Sequence, residues 1–117
     1  MTLPQSPDAE KAFLSSLMQN SSILDEAADT ASVKLFHHPA NQRIFNAIVY
    51  LWTAGVGSDL VTITDHMTNN GTLELSGGPA YVTECFLFMP TSQNWREYLD
   101  ILKERHIQRL SLSLIHI

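Results

Sequence analysis

A chain of 117 residues, 44% of them hydrophobic, has the size of one domain and the apolar content of a real core, which excludes an intrinsically disordered segment. Its one cysteine, Cys85, excludes an intrachain disulfide framework and a cysteine-based zinc site, as expected of a protein kept in a reducing cytoplasm. The formal charge of −5 is uneven: residues 1–90 carry Lys11, Lys34 and Arg43 against nine acids, residues 91–117 four basic side chains against three, so duplex-gripping cations are scarce and a protein partner is favoured.

The punctuation predicts an all-α fold of six helices. Ser6 can cap the first, Pro7 suits its first position, and Asp8 and Glu10 complement the positive end of its dipole. Phe13, Leu14, Leu17 and Met18 form its apolar stripe. Ser21 and Ser22 are expected to cap a short second helix, with Leu24, Ala27 and Ala28 inward and Asp25, Glu26 and Asp29 in water. Pro39 starts the third and Gly55 ends it. Ile44, Phe45, Ile48, Val49, Leu51 and Trp52 cover more than half its circumference, the pattern of a central helix.

Thr62 is expected to cap the fourth helix, with Asp65 three residues on, and Gly71 to stop it. Thr72–Gly77 alternates like a strand but is too short for one, and reads as an extended connector. Gly78-Pro79 opens the fifth helix. Val82, Cys85, Phe86 and Met89 make its stripe, Tyr81, Leu87 and Phe88 widen it, and Pro90 breaks it. Thr91 or Ser92 caps a sixth, with Trp95, Tyr98, Leu99 and Leu102 on one side and mostly charged groups on the other. Residues 111–117 are apolar and stop in mid-pattern, as in a truncated chain or one with a foreign tail.

Chemistry is sparse. No GxxxxGK[ST] loop or Gly-Lys pair occurs, and Gly77-Gly78 is followed by Pro79, so nucleotide hydrolysis by this chain is not expected. His37, His38, His66, His106 and His116 show neither HxxxH nor HExxH spacing, and His37-His38 reads as a loop or cap rather than a metal pair. Cys85 sits in an apolar stripe and reads as a small buried hydrophobe rather than a nucleophile. No catalytic, cofactor-binding or metal-binding residue is assigned. No apolar run approaches the roughly 20 residues of a membrane span, and Met1–Gln5 lacks the character of a signal peptide.

What remains is apolar surplus. Cys85–Met89 is an unbroken apolar run, wider than one buried helix face requires, and Trp95 and Tyr98 follow closely. Core filling accounts for Phe86. A long helix leaving a small globule has little core to reach, so Leu87, Phe88, Trp95, Tyr98, Leu99 and Leu102 form the candidate interface.

Five blocks then fall in order. They are Pro4-Gln5-Ser6 with Ala9-Glu10 and Leu14; Phe36 with Pro39-Ala40 and Ile44-Phe45; and Asp59-Leu60-Val61-Thr62-Ile63. Gly71 and Leu73 with Gly77-Gly78 and Tyr81-Val82 make the fourth; Pro90-Thr91-Ser92, Asn94, Tyr98 and Ile101–Arg105 make the fifth. From Pro4 to about Arg109 this pattern resembles the N-terminal domain of DnaB-type replicative DNA helicases. The third block is similar to that family's DLVTL stretch and the fifth to its TPSAAN…Y…IVRE. Asn41 stands where the family commonly has histidine, Asp8 where it has glutamate, and Ser15-Ser16 where it has small residues including glycine. Leu87-Phe88-Met89 replaces residues usually polar, as in a divergent or phage-borne member.

The resemblance implies a helical head over 1–90. Over 91–117 it implies the first arm of a helical hairpin that pairs heads into dimers, three dimers building a collar on a hexameric motor. It also implies a DnaG-type primase and a helicase loader as partners and no direct DNA binding by this domain. ATP and magnesium would belong to an ATPase domain absent from this chain. Two other readings compete. One is a free-standing adaptor, such as a phage helicase-binding protein or a primase C-terminal-like domain. The other is a small helical DNA-binding domain, which the charge distribution disfavours. A reading frame continuing into a linker and a phosphate-loop ATPase separates the first reading from the adaptor.

Overall fold

The computed structural model describes residues 3–115, with side chains as far as Leu112. These residues form six α-helices and two 3-10 turns, without a strand. The helices are α1 (Pro7–Gln19), α2 (Ile23–Ala27), α3 (Pro39–Thr53), α4 (Leu60–Asn69), α5 (Gly78–Leu87) and α6 (Trp95–Ile115); the 3-10 turns are Val33–Leu35 and Glu74–Ser76.

Several boundaries follow the expected chemistry. Ser6 Oγ accepts the Ala9 N–H at 3.2 Å, with Pro7 at the first helical position. Pro39 opens α3 in the same way, where its missing N–H costs nothing. Others differ. Asp59, not Thr62, caps α4, its carboxylate accepting the Thr62 N–H at 2.9 Å. Asn20 Oδ1, not a serine hydroxyl, takes the free Ser22 N–H before α2, and Ala28 is exposed. Thr72–Gly77 is not extended: it winds into the Glu74–Ser76 turn, which puts Leu73 and Ser76 inside and leaves Leu75 out.

The turn into α5 depends on its glycine pair. Gly77 and Gly78 both lie in the left-handed region, at φ +90° and +74°. A Cβ on Gly77 would come within 2.6 Å of the Tyr81 Cβ, so space and backbone both demand glycine there.

The centre of the domain is α1 rather than α3. Nine of its 13 residues are buried, and it packs against α2, α3, α5 and α6. The apolar arc of α3 is wide because α3 meets α1, α4 and both 3-10 turns at once. Ile44, Phe45, Ile48 and Leu51 are buried, whereas Trp52 is half-exposed and donates its indole N–H to Asp25 at 2.8 Å. Phe36 stands between the rings of Phe13 and Phe45, at centroid distances of 6.4 and 4.9 Å, and joins the Val33–Leu35 turn to both helices.

A larger correction concerns α6. It does not leave the head at Trp95. It lies back along α1 and the Val33–Leu35 turn, with Leu99 4% and Leu102 1% exposed. Both belong to the chain's own core, so neither is free to meet a second chain. The reason is geometric. Pro90 cannot continue α5, and the chain bends between Phe88 and Asn94 instead of running straight on, which brings the apolar stripe of α6 back over α1.

Candidate functional site

The predicted interface residues fall into four places, one of them the core position of Leu102 already described. Leu87, last in α5, is 69% exposed. Phe88 and Tyr98 are half-buried and face one groove of about 230 Å³ between α1 and α6, lined also by Ala9, Ala12, Met89 and Ile101. Trp95 and Leu99 line a second groove of about 240 Å³ on the α2 side, with Ala27, Thr30 and Lys103. The Arg96 guanidinium stacks 4.4 Å from the Trp95 ring and pairs with Glu26. The six residues therefore do not form one stripe: α6 separates Phe88 and Tyr98 from Trp95, and buries Leu99 and Leu102 beneath itself.

The backbone that carries Phe88 and Met89 is held by Ser15, buried in α1. Its hydroxyl donates to the Phe86 carbonyl at 2.9 Å and accepts the Met89 N–H at 3.2 Å. Gln19 adds a bond from its amide to the Met89 carbonyl at 2.6 Å. A small polar residue in α1 thus fixes the broken backbone after α5, which no longer satisfies its own carbonyls.

Sequence reasoning missed the outward apolar pair of α6. Ile107 is 62% and Leu110 51% exposed. Three residues apart, they are neighbours on the helix surface. The signal was present for one of them: continuing the helical count from Leu102 puts Arg105, His106 and Arg109 inward and leaves Ile107 outside, whereas Leu110, eight residues on, falls at the edge of the inner face. Sequence reasoning also gave Glu10 only a dipole role. It is fully buried, and its carboxylate accepts the N–H groups of His37 and His38 at 2.9 and 3.3 Å.

The electrostatics are those of a framework. The Glu84 carboxylate bonded to Lys11 raises the lysine pKa above its ordinary value. The Thr62 N–H holds Asp59 below the usual carboxylate range. Burial pushes the Tyr81 hydroxyl up, and the Cys85 thiol up to about 11. None of these groups stands beside a base or nucleophile in an open cleft. Among the described residues no group of three or more His, Cys, Asp or Glu could hold a metal ion, and no helix is long and apolar enough to cross a membrane. The glycine pair at the start of α5 does not fit a phosphate group: Pro79, next in line, has no N–H to offer, and Ala80 rather than a lysine comes after it.

The family model of the DnaB-like helicase N-terminal domain matches residues 2–104. The chain belongs to this family. The replicative DNA helicase DnaC of Bacillus subtilis (strain 168) is 34% identical over 106 residues, covering 91% of this chain and 23% of that protein. The replicative DNA helicase DnaB of Treponema pallidum (strain Nichols) is 30% identical over 114 residues, covering 97% of this chain and 26% of that protein. The crystal structure of the N-terminal domain of DnaB helicase from Mycobacterium tuberculosis superposes with a TM-score of 0.90 at 25% identity, covering 96% of this chain and 81% of that one. The DnaB N-terminal domain is helical, as the described residues of this chain are, and the chain spans about a quarter of the length of these two curated relatives.

Proposed function

We propose that this chain is the assembly and partner-docking domain of a hexameric replicative helicase, acting in the cytoplasm during DNA replication and without catalysis of its own. The observation that carries the reading is the exposed Ile107 and Leu110 pair, on a helix that continues past the last family-matched residue, 104. Such a stripe gains about 25 cal/mol for each Å² it buries against a partner, less the cost of association. A second copy of the domain is the first partner in this reading; a DnaG-type primase and a helicase loader are the others. ATP and magnesium belong to the ATPase domain of the parent, and duplex DNA is gripped elsewhere than on this acidic head.

Sedimentation of the chain over a concentration series, followed by titration with a primase C-terminal domain, tests this. Reversible self-association and saturable primase binding are expected, with no phosphate release from ATP and no salt-sensitive duplex binding. A monomer at all concentrations that ignores primase would overturn the reading and favour a free-standing adaptor.

A further inference from the structure

We propose that Arg109 is a clasp that fixes the direction in which the distal half of α6 lies on the head. Among the residues whose side chains are described, Leu102 is the last fully buried apolar anchor on α6. Beyond it the half-buried positions include Arg105, His106, Arg109 and, further on, Leu112, while Ile107 and Leu110 face outward. Full hydrophobic burial therefore ends at Leu102, and between it and the half-buried Leu112 polar contacts hold the helix.

Arg109 supplies them. Its Nη1 donates to the Pro4 carbonyl at 2.9 Å, and its Nη2 to the carbonyls of Leu35 and Lys34 at 3.2 and 3.4 Å. The acceptors come from two segments remote from α6 and from each other: the stretch before α1 and the end of the Val33–Leu35 turn. Lys34 and Leu35 end a single 3-10 turn, where carbonyls lack partners within the helix. A guanidinium suits them because its planar fork presents several donors at fixed angles, and it stays charged at any pH a protein survives. Burial draws its pKa below the ordinary arginine value, and the Glu10 carboxylate works in the opposite direction, favouring the charge. One side chain thus joins the N-terminal stretch, the 3-10 turn and α6, and sets where Ile107 and Leu110 are presented. Only this last step rests on the interface reading given above.

Hydrogen exchange of the full 117-residue chain, at concentrations where it is monomeric, tests the clasp. In Arg109→Ala, amides of residues 104–112 and 34–37 are expected to exchange at least about tenfold faster, from the loss of charge-assisted bonds. Amides of α3 and α4 should stay as they are. Arg109→Lys keeps the charge but not the fork, and should give the same pattern at smaller amplitude; it carries the test if the alanine variant does not fold. Wild-type protection in 104–112, or a loss spread evenly over the head, would overturn the proposal. The double variant Ile107→Ser, Leu110→Ser separates the two readings. It should keep wild-type protection and lose self-association; unchanged association would defeat the interface reading and leave the clasp standing.

Discussion

The Glu10 carboxylate, fully buried near the start of α1, accepts the side-chain amide of Asn41 at 2.8 Å and so ties α1 to α3 inside the core. Asn41 Oδ1 in turn accepts the Tyr81 hydroxyl, which extends the tie to α5. With the His37 and His38 N–H groups, three donors depend on one carboxylate.

Removing that acceptor should be costly. Glu10→Ala leaves those donors buried without a partner, at about 1–3 kcal/mol for each one that water cannot reach. A loss of about 3 kcal/mol in urea unfolding is expected, with Glu10→Gln losing less because its amide oxygen still accepts. A change below about 0.5 kcal/mol would mean that water replaces the carboxylate.

The two kinds of α6 leucine should behave oppositely. Leu102→Ala removes a core side chain and should cost about 2–5 kcal/mol of stability. Leu110→Ser removes an exposed one and should leave stability within about 0.5 kcal/mol while weakening self-association. Unfolding midpoints beside sedimentation profiles separate the cases. A stable, dissociated Leu102→Ala would return the interface to the inner face.

The elements were legible where a single residue has one physical use. Pro7 and Pro39 can begin helices but not continue them, and Gly71 at φ +77° can end one cheaply. The caps were harder, since Asp59 and Thr62 are both good caps and only the chain's path selects between them. The candidate site was the least legible part. The spacing of Tyr98, Leu99 and Leu102 reveals that α6 has an apolar face, but a stripe does not say whether α1 or another molecule covers it. That depends on the bend at Pro90, held by Ser15, whose side chain is too common in helices to signal such a task. Glu10 hid for a related reason: a glutamate in a first turn has an ordinary explanation, and its partners lie 27–31 residues away.

Gly77→Ala should destabilise more than Gly71→Ala. Both positions have positive φ, which costs a side chain about 1–2 kcal/mol. A Cβ at Gly71 meets open space, whereas at Gly77 it collides with Tyr81. Thermal unfolding of the two variants provides the comparison, and equal losses would mean that α5 shifts to make room.

Stability should fall in mild acid through His106. Burial, then the charges of Arg109 and Lys34, hold its imidazole below the ordinary 6.5. Above that pH the ring is neutral in both states. As pH drops below 6.5 the unfolded chain takes up the proton first, so unfolding gains and the contribution is lost through the folded-state pKa. The urea midpoint of the wild type should decline over this window more steeply than that of His106→Gln. Parallel curves would place the acid sensitivity elsewhere.

Cys85 turns the packing of α5 into something that can be timed. It is the chain's one thiol, it has no exposed surface, and its pKa of about 11 keeps it protonated at neutral pH. A thiol-reactive dye therefore meets nothing on the folded molecule and reacts only when α5 lifts away from α1 and α4. Where the dye reacts faster than α5 recloses, its labelling rate equals the opening rate, so the unmodified protein carries its own clock for how often the head comes apart.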